Sequence, residues 1–191
     1  RIGPGQLQGA LGHDLAQAVP LLLQGIVVAL EPAEEVIEAG HQGFELVAAS
    51  EGTVPHFTGD GMLIFFNDPI EVPDACPRAA RMALAMQARF LPLSEQWRRL
   101  GHDLKLGIGI ARGYATLGAL GYEGRFDYTA IGGVVNLAAR LCAEASGGQI
   151  LVDRRARASL DEAFVLDPVE ALTLKGYDKP VPAFLLLAGP A

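Results

Sequence analysis

The sequence has only two cysteines among its 191 residues, Cys76 and Cys142, and neither sits in a CxxC or His-rich spacing. A disulfide framework and a structural zinc site are therefore not indicated, and a reducing cytoplasm is the expected compartment. Basic residues are also short: 15 Lys and Arg stand against 22 Asp and Glu, for a net charge of −7. Nucleic-acid polymers are held by a concentrated basic face, so that partner class is set aside, while a small phosphorylated ligand needs only a local cluster of positive charge. No apolar run approaches the ~18 residues that span a bilayer, because Pro20, Gln24 and Gly25 interrupt the longest one, between Ala18 and Leu30. No signal-peptide pattern opens the chain. It begins on Arg1 and not on Met, which suggests a piece of a longer polypeptide with a regulatory domain upstream.

The length suits one well-cored domain with an extension. Residues 1–25 lack a sustained period and are expected to be a linker or partial helix; residues 26–191 are expected to be the domain itself. Ile26 to Leu30 is β-branched and apolar, a buried-strand pattern. Glu31-Pro-Ala-Glu-Glu35 resembles a helix start, running toward Ser50. Thr53 to Phe66 holds two apolar runs pivoting on Gly59-Asp60-Gly61, a strong hairpin signal. Asp74 is a plausible N-cap for a long helix with an apolar stripe of Ala79, Met82, Met86, Phe90, Leu93 and Trp97, which Pro92 should kink. A glycine-rich strand from Leu104 to Leu120 pairs with Phe126–Ile131 through the turn at Gly121–Gly124. A helix follows, then strands near Gln149–Val152, Phe164–Leu166, Ala171–Leu174 and Pro182–Leu186, with a short helix ending at Ala158. This order implies an α+β fold, a ferredoxin-like split βαβ sandwich with helices segregated to one face of a largely antiparallel sheet.

Chemistry concentrates in Thr129-Ala-Ile-Gly-Gly-Val-Val-Asn136-Leu-Ala-Ala-Arg140, a strand that passes through two glycines into a helix. Asn136 and Arg140, four apart, share one helical face beside an apolar stripe of Val134, Leu137 and Leu141. A guanidinium near the free N–H groups of a first helical turn favours an anion such as phosphate. Asp60, at the hairpin tip, makes the turn and is also a candidate Mg²⁺ ligand, since such sites combine one or two carboxylates with phosphate oxygens and water. Gly107-Ile-Gly109-Ile-Ala-Arg-Gly113 is not a dinucleotide fingerprint, because no helix follows it. It is read as glycine that lets strands twist and approach closely. Asp68, Asp74 and Asp103 are read as caps or turns.

Four segments in this order resemble the catalytic domain of class III adenylate and guanylate cyclases, from about Thr53 to Leu187. Phe57-Thr-Gly-Asp60-Gly is similar to the metal-binding hairpin of that family, Asp127-Tyr-Thr129-Ala-Ile-Gly to its base-recognition strand, Asn136-Leu-Ala-Ala-Arg140-Leu to its transition-state helix, and Thr173-Leu-Lys175-Gly to its triphosphate lysine. The resemblance implies conversion of ATP, less readily GTP, to the 3′,5′-cyclic monophosphate and pyrophosphate by in-line attack of the ribose 3′-oxygen. It implies two Mg²⁺ or Mn²⁺ ions with Asp60 as a ligand, and a head-to-tail homodimer with sites at its interface. In that scheme Arg140 acts at the α-phosphoryl group, Asn136 on the ribose, Lys175 on the terminal phosphates, and Thr129 and His56 at the base.

The sequence departs from the family in two places. His56 stands where a lysine is usual, and neutral imidazole can donate to or accept from either purine edge. The loop with a first metal aspartate, expected after the opening strand, has no counterpart between Leu30 and Glu31. Either the natural polypeptide carries a loop that this sequence omits, or the domain is an impaired, cyclase-like dimerisation or nucleotide-sensing module.

Overall fold

The computed structural model describes residues 22–31, 44–54, 57–58, 61–68, 71–122 and 125–190. Among these residues eight strands form one sheet: β1 (Leu22–Glu31), β2 (Phe57–Thr58), β3 (Gly61–Phe65), β4 (Gly107–Tyr122), β5 (Arg125–Ile131), β6 (Ile150–Asp153), β7 (Val165–Pro168) and β8 (Ala183–Ala188). Their order is β2-β3-β1-β4-β6-β8-β7, with β5 paired to the distal half of β4. Every pairing is antiparallel except that of β4 with β6. The helices are α1 (44–49), α2 (Ala75–Arg99), α3 (Gly133–Glu144) and α4 (Arg154–Arg157). The expected α+β sandwich is present. Residues 22–25, assigned to the linker from sequence, belong to β1 and register against Thr116 to Gly113 of β4.

The helices divide between the two faces. Val47 of α1, Ala156 of α4 and the buried stripe of α2, including Ala79, Met82, Met86 and Phe90, share a core with Ile64, Phe66, Ile108, Ile110, Ile150 and Val152. Helix α3 covers the opposite face, where Val134, Ala138 and Leu141 meet Leu63, Phe65, Ala111, Ala115 and Leu151. One-face segregation thus holds for α1, α2 and α4 but not for α3. The strand period explains the difference: alternate residues of β3, β4 and β6 are buried on both sides, so a second layer must cover the second side.

The glycines of β4 have a sharper role than easing strand twist. A Cβ at Gly109 would lie 2.3 Å from the carbonyl oxygen of Ala138 and 2.5 Å from the amide nitrogen of Cys142. The close neighbour is therefore the backbone of α3, and only glycine allows that approach.

Helix α2 runs continuously through Pro92 to Arg99. Asp74 occupies its N-cap position, yet its side chain makes no capping hydrogen bond. Its carboxylate accepts instead from Arg78 Nη2 at 2.9 Å and Arg81 Nη2 at 2.9 Å, and Arg78 also pairs with Glu51. Partial burial opposes ionisation of Asp74, but the two arginines together hold its carboxyl below the ordinary value. The cap expectation is therefore corrected to an ion-pair cluster that ties α2 to the turn after α1.

Candidate active site

The strand-to-helix corner between β5 and α3 is built on a backbone contact. Thr129 is half-buried and registers with Gly118 of β4. Three residues later, a Cβ at Gly132 would stand 2.9 Å from the carbonyl oxygen of Tyr114 and 3.1 Å from Ala115 Cα. Its φ of 165° is ordinary extended backbone, so proximity to β4 and not conformation demands glycine here. The Gly132 carbonyl accepts from the amides of Val135 at 3.1 Å and Asn136 at 3.4 Å, which starts α3 directly against the sheet.

From that start the helix period separates two functions. Val134, Ala138, Leu141 and Cys142 are buried, while Asn136 and Arg140 are exposed. The first turn of α3 carries no acidic residue. Its initial amides lack intrahelical acceptors, as in any α-helix, so the positive end of the helix is not neutralised from within.

Lys175 reaches the same region by a different route. The strand expected at Ala171–Leu174 is reduced to a single bridge, Leu172 with Val181, closed by backbone bonds of 2.9 and 2.8 Å. Leu174 is buried against the α3 layer, and Lys175 and Gly176 are exposed at the following turn. The Tyr177 hydroxyl then donates to the Gly133 carbonyl at 3.4 Å, and its ring packs on the α3-side core. A loop bearing an ammonium group is thereby fastened to the start of the helix that bears the guanidinium and the amide.

His56 and Asp60 are outside the described residues, although Thr58 registers with Gly61 and Phe57 with Met62 on either side of the hairpin. Among the described residues no group of three His, Cys, Asp or Glu side chains gathers to hold a metal. No described helix is long and apolar enough to cross a membrane.

Two contacts were not foreseen from the sequence. Nothing in the sequence pattern points to Tyr177, and Asp68, a cap or turn residue by its pattern, accepts a hydrogen bond from the hydroxyl of Tyr128, the neighbour of Thr129. Burial, then the hydrogen bond and charge of Asp68, push the Tyr128 phenol up to about 12. A separation of 60 positions leaves no local signal by which sequence could pair them.

Chemically, α3 and the loop fastened to it carry a guanidinium and an amide along the helix, an ammonium on the loop and a helix N-terminus. Such a set binds and stabilises negative charge on phosphate oxygens without a covalent nucleophile.

A family model described as the adenylate and guanylate cyclase catalytic domain matches residues 45–188. Adenylate cyclase 1 of Rhizobium meliloti is 34% identical over 113 residues, 56% of this chain and 17% of that protein. An uncharacterized protein of Mycobacterium tuberculosis is 31% identical over 184 residues, 92% of this chain and 33% of that protein. The chain thus spans a third or less of the length of these relatives. The crystal structure of the adenylyl cyclase CyaB from P. aeruginosa superposes with a TM-score of 0.79 at 25% identity, covering 87% of this chain and 94% of the other.

Proposed function

The chain belongs to the adenylate and guanylate cyclase catalytic domain family, and from that premise we propose that it converts ATP, and GTP less readily, to the 3′,5′-cyclic monophosphate and pyrophosphate at the interface of a head-to-tail homodimer. The supporting observation is the Tyr177–Gly133 contact, which fastens the Lys175 loop to the start of the Asn136/Arg140 helix. In this reading Arg140 meets the charge that grows on the α-phosphoryl oxygens as the ribose 3′-oxygen attacks, which is where a preorganised cation lowers a barrier most. Asn136 orients the ribose, holding the 3′-oxygen in line with the phosphorus. Lys175 holds the terminal phosphates as a point charge. Thr129 and His56 contact the purine edge, and the bond to pyrophosphate breaks without any covalent enzyme intermediate.

Two divalent ions, Mg²⁺ or Mn²⁺, would supply acidification of the 3′-hydroxyl and neutralisation of the triphosphate. Asp60 is the residue assigned to hold them. The metal-binding half is the weaker half of the site, because the segment after Leu30 contains no counterpart of a first metal aspartate. That observation favours a second reading, a cyclase-like dimerisation or nucleotide-sensing module without turnover. The two are separated by incubating the purified domain at high concentration with Mn²⁺ and ATP or GTP. Cyclic nucleotide formed at a specific rate that rises with protein concentration supports the enzyme, whereas nucleotide binding without product supports the module.

A further inference from the structure

Among the described residues strand β5 pairs only with β4, over residues Thr116 to Tyr122. The β4–β5 pair extends beyond the stretch of β4 that β1 and β6 hold, which ends at Thr116 on one side and Ile110 on the other. A two-stranded ribbon of this kind is not rigid by itself, yet Thr129 lies within it. On its helix side Thr129 is anchored by buried Ala130 and by the contact of Gly132 with β4, so a purine contact in one fixed place calls for a further attachment on its ribbon side.

Tyr128 supplies one. Its ring stands 6.2 Å from that of Phe65, centroid to centroid and tilted by 50°, and Phe65 is only 2% exposed. Its hydroxyl donates to the Asp68 carboxylate. The acceptor segment is itself fixed from three directions. Thr53 and Phe65 exchange two backbone hydrogen bonds of 2.8 and 3.0 Å, and the Thr53 hydroxyl donates to the Asp68 carbonyl at 2.5 Å. Asn67 takes a left-handed φ of 72°, and its side-chain oxygen accepts from the Val72 amide at 2.8 Å. Asp68 is thus presented by a braced turn after β3, and the bond from Tyr128 joins the ribbon to that turn.

We infer that Tyr128 is a positioning residue for nucleotide recognition, which holds β5 through Phe65 and Asp68 so that its neighbour Thr129 meets the purine in one fixed place. The inference rests on the reading of Thr129 as the base contact given above. Tyr128 is not itself the base contact, because along a strand adjacent side chains point to opposite faces. Tyr128 shares the parity of buried Ala130, so Thr129 is left on the other side.

The test compares Tyr128→Phe, which keeps the ring on Phe65 and removes the hydroxyl, with Asp68→Ala and the double variant. Three quantities are read: kcat and KM for ATP and GTP with Mn²⁺, the Kd of each nucleotide, and hydrogen exchange of the β5 amides. Tyr128→Phe is expected to raise KM and Kd about fivefold, keep kcat within about twofold, and accelerate β5 exchange. Asp68→Ala should reproduce these changes, and the double variant should be no worse than either single one. Unchanged β5 exchange overturns the inference, as do fully additive single effects or faster exchange with KM and Kd unaltered. If the unmodified domain forms no cyclic nucleotide while Kd and β5 exchange respond as expected, the cyclase reading fails and the positioning role stands.

Discussion

Strand β4 presents two unlike surfaces. Toward α2 it shows Ile108 and Ile110, whose side chains interdigitate with Met82, Met86 and Phe90. Toward α3 it shows Gly109, Ala111 and Ala115, and at Gly109 no room exists even for a methyl group. The first contact is a thick apolar core whose strength scales with buried area. The second sets helix and strand backbones against one another, so the helix can move closer by nothing and away only by opening a gap. The helix that carries Asn136 and Arg140 is the one on the tight surface. Bulk stability and positional accuracy are thus assigned to opposite sides of one strand, and substitutions on each side should fail in different ways.

The largest effect expected is on the thick side. Phe90→Ala removes a nearly buried ring from the α2 core and should cost about 3–5 kcal/mol in denaturant unfolding, with KM of the remaining folded protein unaltered. Arg140→Ala is the counterpart on the tight side. Because the residue is exposed, the thermal midpoint should stay put while kcat falls about 10²–10³-fold with little change in KM. Equal loss in binding and turnover would make Arg140 a plain substrate contact. Gly109→Ala tests the comparison most directly: it should cost about 1–3 kcal/mol as α3 is displaced, and kcat/KM should drop by more than the folded fraction accounts for. A loss of stability with unchanged turnover would show that the tight packing does not position the site.

The smallest effect is a pH slope confined to the thick side. Burial pushes the Cys76 thiol from 9.0 up to about 11. Its contribution is therefore complete below about pH 9 and is lost as pH rises through 11, because only the unfolded chain gains the thiolate between those values. At pH 10 the loss should be about 1 kcal/mol relative to Cys76→Ala, measured as the difference between their unfolding free energies.

The same division governs what could be read from sequence. The hairpin before Met62, the long amphipathic α2 and the Gly-Gly entry to α3 rest on local patterns, and the described strands and helices follow them closely. Alternation along β4 was visible as Ile against Gly, but a period tells which residues are buried and not which helix covers them, so the placement of α3 required the three-dimensional structure. Asp74 satisfies the composition of a cap, yet Arg78 and Arg81 are stronger partners than a backbone amide and draw its carboxylate away. Leu172 to Leu174 has strand-like residues, but only one bridge forms before the chain turns to expose Lys175. Of the candidate site, Thr129, Asn136, Arg140 and Lys175 belong to described segments. Tyr128 with Asp68 and Tyr177 with Gly133 are pairings across 60 and 44 residues, beyond the reach of any local rule.

The contact of Gly132 with β4 makes the corner intolerant of any change in length. Thr129 lies three residues before that pinned point, and Asn136 and Arg140 lie four and eight after it. One residue inserted ahead of Gly132 would turn Thr129 to the opposite side of the sheet. One inserted behind it would rotate Asn136 and Arg140 by about 100° around α3. The spacing of these three side chains is therefore tied to the exact number of residues on either side of Gly132, so the segment accepts substitution far more readily than insertion or deletion.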